Sequence, residues 1–166
     1  VVGNPDRAWR AEQVAKAMSL LQIAHAEVGG VSSAGGTGTY DLHDWADEVQ
    51  AGSYLLMDTH YEHLGLPFRL ALWVEATVIS VNHPGAAVAD AGLKAFGMDH
   101  GDPAVVGHQT FFCSDEHLTF FVDPDRPVRV GDHVRIRPAH VDPTVAYHER
   151  IWVARGGAVV DSWEVD

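Results

Sequence analysis

The chain has 166 residues, 46% of them hydrophobic, and 23 acidic against 11 basic side chains give it a formal net charge of −12. That acidity repels phosphate backbones and anionic lipid surfaces, so neither nucleic acid nor a membrane is expected as a partner, and no apolar run approaches the roughly 20 residues that span a bilayer. A single cysteine, Cys113, excludes an internal disulfide and a cysteine-based zinc ribbon, and "VVGNPDRAWR" lacks a signal-peptide layout; the expected setting is reducing and cytoplasmic.

In chain order, "NPDRAWRAEQVAKAMSLLQIAHAEVGG" predicts one helix. Asn4 suits the N-cap, Pro5 the first helical position, and Gly29 and Gly30 the end. Val14, Met18, Leu21 and Val28 keep near-helical spacing. "VSS" then reads as a short buried strand that runs into the glycine-rich loop "AGGTGTY". A helix, a strand and such a loop look like a slice of an α/β barrel. "EVQAGSYLLM" predicts a further strand.

From there the character changes. "FRLALWVEATVISVN" alternates, with Leu70, Leu72, Val74, Ala76 and Val78 on one side. "HPG" turns the chain, "HQTFFCS" and "HLTFFV" form a hairpin around Asp115 and Glu116, and "VRVGDHVRIRP" carries a Gly-Asp turn. "RIWVARGGAVVDSWEV" predicts two strands around Gly156 and Gly157. The fold class is therefore α+β: the last elements of an α/β (TIM-type) barrel over residues 1–58, then an antiparallel β-domain over residues 59–166. One helix and one strand cannot cover both faces of a parallel sheet, so the first third is expected to be the end of a larger barrel.

Three stretches could carry chemistry. In "SSAGGTGTY", Gly35, Gly36 and Gly38 let successive N–H groups converge on an anion, and Thr37, Thr39 and Tyr40 add hydroxyls. The loop is neither a Walker loop nor a G-x-G-x-x-G fingerprint. Alone, it is a weak signal that reads first as a turn after a strand; its place after a strand, where late α/β-barrel loops hold phosphate, turns the reading toward phosphate. Tyr54 stands near the end of the predicted strand beside Gly52 and Ser53, as a site residue or a half-buried structural tyrosine.

The third stretch is "RPAHVDPTVAYHER". If "HVD" is extended, His140 and Asp142 project to one face, and Pro143 disfavours helical angles at the residue before it. An imidazole and a carboxylate offer two ligands to a divalent cation, with open positions for water or substrate. Mixed N/O ligation selects poorly among manganese, cobalt, nickel, magnesium and zinc. A surface His-Asp pair in a loop is the alternative. Asp99, in "GMDHG", either orients a ligand or caps a turn; His117, at the hairpin tip, could face a pocket; Cys113 fits a small core position.

Taken together, "SSAGGTGTY", "EVQAGSYLLMD", "AVADAGLKAFGMDHG", "SDEH" and "VGDHVRIRPAHVDPTVAYHERIWVARGGAVVDSWEV" resemble the D-threonine aldolase / D-serine dehydratase family. The resemblance runs from about Val31 to the C-terminus, and its P-x-H-x-D/C-P-T-V block is its most specific part. It implies an alanine-racemase-like fold, pyridoxal 5'-phosphate as cofactor, and a head-to-tail homodimer. It further implies that His140 and Asp142 hold a divalent cation, that Gly36, Thr37, Gly38 and Thr39 hold the cofactor phosphate, and that Tyr54 lies near it. H-x-D resembles the aldolases, often manganese-dependent, and H-x-C the zinc dehydratases. The implied reaction cleaves D-3-hydroxy amino acids to glycine and an aldehyde, with D-serine dehydration or a non-catalytic metal-binding or dimerisation module as alternatives. The family's Schiff-base lysine belongs to an earlier barrel segment. Lys16 and Lys94, the only lysines here, do not replace it, so these residues alone are not expected to turn over substrate.

Overall fold

Asp6 caps the first helix. In the computed structural model, which describes residues 3–166, helix α1 runs Arg7–Val28, and the Asp6 carboxylate accepts from Ala8 N at 2.9 Å and Trp9 N at 3.1 Å. Asn4 instead accepts from Asp6 N at 2.8 Å. The cap therefore lies two residues later than the sequence predicts, because a carboxylate at Asp6 can satisfy two of the helix's orphan N–H groups at once. Val14 is buried and Met18 and Leu21 are half-buried, which confirms most of the expected stripe; Val28 is exposed. Gly29, at φ +64°, donates to His25 O and ends the helix.

Strands β1 (Ser33–Ala34) and β2 (Glu48–Val49) pair in parallel, Ser33 with Glu48 and Ala34 with Val49. Asp47 fixes their start by accepting from Ser32 N at 2.8 Å and Ser32 Oγ at 2.7 Å. The strand expected across "EVQAGSYLLM" stops at Val49. Ser53–Leu55 is a 3₁₀ turn entered at Gly52, so Tyr54 lies in a turn rather than at a strand end. A short helix, α2 (Thr59–Glu62), follows, capped by Asp58 accepting from Tyr61 N at 2.8 Å. The chain divides into compact units at Ala71/Leu72, later than the 58/59 boundary read from sequence.

The second unit is antiparallel throughout. Strands β3 (Val74–His83), β4 (Ala86–Ala89), β5 (Ala104–Val105), β6 (Gln109–Cys113), β7 (Leu118–Phe121) and β8 (His133–Arg137) form one sheet in the order β5-β8-β3-β4-β7-β6. The alternation in β3 does what its pattern predicts: Ala76 and Val78 turn inward with Ala87, Ala89, Leu118, Phe120 and Ile136. Val78, Leu118, Phe120 and Ile136 are fully buried, and each large apolar side chain so buried contributes about 1.5–3 kcal/mol. Leu70 and Leu72 precede the strand and are not part of it. The "HPG" turn joins β3 to β4, and "SDEH" is the tip of the β6–β7 hairpin, as expected.

After β8, helix α3 (Val141–Ala146) leads to strands β9 (Arg150–Arg155) and β10 (Ala158–Glu164), which pair as a separate hairpin. Gly156 and Gly157 turn it at φ +59° and +84°, a left-handed pair that side chains resist. Among the described residues, no helix is long and apolar enough to cross a membrane.

Candidate metal centre

His140 stands where β8 gives way to α3. Its backbone is extended (φ −139°, ψ 117°), but Val141 already begins the helix, so "HVD" is not the stretched segment that the sequence predicts. Pro143 falls in the helix's first turn, where its missing N–H is no loss and its fixed φ is helical. Thr144 Oγ1, buried, donates to His140 O at 2.6 Å and closes that turn. These terms outweigh the extended preference of the residue before proline. His140 and Asp142 nonetheless meet: Nε2 of the imidazole lies 3.2 Å from Oδ2 of Asp142.

The other ring nitrogen is also engaged. His140 Nδ1 lies 2.7 Å from Asp99 Oδ2, and the His100 ring stacks on His140 with centroids 3.9 Å apart at 17°. Asp99, one of the residues singled out in the sequence, thus contacts the candidate ligand His140 directly, from within a turn of its own. Its carboxyl is held below the usual range: partial desolvation works against this, and the hydrogen bond with His140, its own backbone N–H and the electrostatic pull of both histidines outweigh it.

The segment bearing Asp99 is fastened to α3 at several points. Gly97 bridges His140 in antiparallel fashion, Gly97 N donates to Thr144 Oγ1 at 2.9 Å, and the His148 ring meets Ala95 O at 3.0 Å. Gly97, Thr144 and His148 therefore support the centre, and sequence reasoning assigned no role to them.

A neutral imidazole carries one N–H. Between two carboxylates it can donate to only one, and the other nitrogen needs a proton or a cation on its far side. Two ligands about 2.1 Å from a shared ion, at roughly 90–110°, lie about 3.0–3.4 Å apart. The Nε2–Oδ2 separation of 3.2 Å falls within that range, so the residues fit a divalent cation. Among the described residues, Asp99, His100 and His140 also form a group whose potential ligand atoms lie within 4.8 Å of one another. At 2.7 Å, the Asp99–His140 contact has the length of a charge-assisted hydrogen bond.

The glycine loop is described by itself. Gly36 is extended, and Thr37–Thr39 form a 3₁₀ turn with all three residues buried. The threonine hydroxyls, expected to face an anion, serve the loop's own scaffold: Thr37 Oγ1 accepts from Tyr54 N at 3.1 Å, and Thr39 Oγ1 contacts His43 Nε2 at 3.1 Å. The first N–H groups of the turn, on Thr37 and Gly38, have no acceptor within it. Ser33 Oγ and His43 Nδ1 are buried without a hydrogen-bond partner among the described residues. The turn's leading N–H groups fit an anionic group, and Thr37 Oγ1, which accepts from Tyr54 N, keeps its own O–H to donate. Tyr54 packs on Phe68 at 5.3 Å and is partly exposed.

Lys16 pairs with Glu12 at 2.7 Å and Lys94 with Glu116, both at exposed positions. His117 is exposed at the hairpin tip, and Cys113 packs against the core with burial pushing its thiol up to about 11.

Residues 71–154 match the family model described as "Putative serine dehydratase domain". A D-threonine aldolase of an Arthrobacter species is 39% identical over 79% of this chain and 38% of its own length. A 3-hydroxy-D-aspartate aldolase of Paracoccus denitrificans is 36% identical over 80% of this chain and 38% of its own. The chain thus spans well under half the length of these curated relatives. Among solved structures, a D-threonine aldolase from Filomicrobium marinum superposes with a TM-score of 0.84 at 30% identity, covering 96% of this chain and 48% of that one. The D-threo-3-hydroxyaspartate dehydratase of Delftia sp. HT23 gives 0.66 at 27% identity, covering 81% of this chain and 43% of that one; similar structures also include D-threo-3-hydroxyaspartate dehydratase variants substituted at a histidine and at a cysteine two positions later, the latter in a metal-free form. With half of its residues matched by the family model and these relatives on either side, the chain belongs to the D-threonine aldolase / D-serine dehydratase family.

Proposed function

We propose that this chain is the C-terminal part of a pyridoxal-phosphate- and divalent-metal-dependent lyase that cleaves D-3-hydroxy amino acids to glycine and an aldehyde, acting as a homodimer. The observation that carries the reading is the His140 ring held between two carboxylates, with Nε2 and Asp142 Oδ2 spaced as cis ligands. His140 and Asp142 would hold the cation, leaving positions open toward substrate; manganese is the first choice, with zinc, cobalt and magnesium behind it. A bound cation of this kind polarises a hydroxyl oxygen and lowers its pKa. Gly36, Thr37, Gly38 and Thr39 would hold the cofactor phosphate through backbone N–H groups, with Tyr54 braced beside them. Bound pyridoxal phosphate supplies an electron sink for the carbon left behind by cleavage.

Within the family, Asp142 favours aldolase chemistry. A D-threo-3-hydroxyaspartate dehydratase has a cysteine two positions after a histidine, whereas here that spacing ends in a carboxylate, a harder ligand suited to an alkoxide and to manganese. The two named curated relatives are both aldolases.

The test uses the full-length protein loaded with Mn²⁺ and pyridoxal phosphate, offered D-threonine and D-serine separately. Acetaldehyde and glycine from D-threonine, without pyruvate from D-serine, is the expected result. Pyruvate from D-serine with no acetaldehyde from D-threonine overturns the aldolase assignment. Loss of metal binding in both His140→Ala and Asp142→Ala is expected; retention in either removes the proposed ligand pair.

A further inference from the structure

A ligand histidine must present a lone pair, and His140 has two ways to do so. With the proton on Nδ1, Nε2 faces Asp142 as an open donor. With the proton on Nε2, that nitrogen donates to Asp142, so one tautomer masks both members of the ligand pair. Free imidazole gives the protein no reason to hold the first form. Asp99 does, at 2.7 Å from Nδ1, and the His100 ring covers one face of the imidazole at 3.9 Å, resisting the rotation that would exchange the two nitrogens. The Gly97 bridge to His140 and the Gly97 N–Thr144 Oγ1 bond set Asp99 at that distance.

We propose that Asp99 is a positioning residue that keeps the His140 proton on Nδ1 and so turns the Nε2 lone pair toward a cation shared with Asp142, with His100 holding the ring in plane. This rests on His140 and Asp142 being the ligands. Asp99 is not a third ligand in this scheme. The lone pairs of the two ring nitrogens diverge, so a cation on Nε2 stands away from a carboxylate bound to Nδ1–H.

The two roles respond differently to substitution. In Asp99→Asn the amide oxygen still accepts from Nδ1–H, so the tautomer survives; in Asp99→Ala nothing opposes the masked form. Outer carboxylates of this kind are worth about 10–100-fold in metal affinity.

The experiment is Mn²⁺ titration calorimetry of the full-length protein, paired with ¹⁵N NMR of His140 in the metal-free protein above the histidine titration range. Expected are a 10–100-fold loss of affinity in Asp99→Ala, most of it recovered in Asp99→Asn, and a proton that moves from Nδ1 to Nε2 only in the alanine variant. An unchanged tautomer and affinity in Asp99→Ala overturns the proposal. Equal losses in Asp99→Asn and Asp99→Ala, with the proton still on Nδ1, overturn it too and make Asp99 a ligand. Asp142→Ala separates the two levels: metal retained there removes the ligand pair itself, whereas metal lost there with Asp99→Ala unaffected removes only the role of Asp99.

Discussion

Gly97 and Thr144, 47 residues apart in sequence, are joined by a buried hydrogen bond of 2.9 Å from amide to hydroxyl, and the same hydroxyl donates at 2.6 Å to the carbonyl of His140. One side chain thereby ties the loop that carries Asp99 to the turn that carries both candidate metal ligands. Thr144→Val keeps the shape and removes both bonds, leaving the buried Gly97 N–H without an acceptor. That omission costs about 1–3 kcal/mol. Urea denaturation is expected to show a lower midpoint for Thr144→Val and a largely restored one for Thr144→Ser. A valine variant as stable as wild type would mean that the loop is held by other contacts.

The glycine at the far end of that bond is required by space. A Cβ on Gly97 would fall 2.2 Å from Pro143 Cγ, against a ring that cannot swing aside as a long side chain would. Gly97→Ala is expected to cost about 1–3 kcal/mol, the usual range for overpacking. Pro143→Ala removes the obstructing carbon, so the double variant should recover part of that loss. The interaction energy of the double-mutant cycle is the quantity to measure; strict additivity of the two changes would place the clash elsewhere.

Local rules carried the sequence reading where local rules decide. The Gly156–Gly157 hairpin, the "HPG" turn, the "SDEH" tip and the inward alternation of Ala76 and Val78 each follow from a few consecutive residues. The His140–Asp142 pair was legible for its chemistry, yet the conformation that brings it together is a helix start, because Thr144 and the fixed φ of Pro143 favour a turn. Tyr54 lies in a turn because the strand pattern breaks at Gly52, and the apolar residues that follow do not reveal that break. Nothing in the string indicates that Gly97 faces Pro143 or that Asp99 reaches His140 across 41 positions. Such contacts are made by the order of the sheet, in which β8 delivers His140 beside strands drawn from much earlier in the chain.

The carboxylate at position 142 is expected to set which ion is held. Asp142→Cys replaces a hard oxygen with a thiolate at the same spacing from His140, and thiolates select zinc over manganese. Competition dialysis of the full-length variant should show the zinc-to-manganese affinity ratio rising by about tenfold or more over wild type. An unchanged ratio would place position 142 outside the coordination sphere, whatever the effect on turnover.

Cys113 makes a prediction independent of the metal. Its thiol is pushed from an ordinary value near 9.0 up to about 11, first by burial and secondarily by the negative charge of Asp102. Both forces disfavour the thiolate. At pH 8 the native protein therefore holds about 100-fold less thiolate than an unfolded chain, and iodoacetamide should alkylate it slower in proportion. The linkage has a definite sign. Below pH 9 the thiol is protonated in both states and its contribution to stability is fully present. Between 9 and 11 the unfolded chain ionises while the native state does not, so that contribution falls as pH rises. Subtracting the denaturation profile of Cys113→Ser from that of wild type cancels the other titrating groups. The difference should be flat up to about pH 9 and decline above it; a flat difference throughout, together with rapid alkylation at pH 8, would show the thiol to be open to solvent.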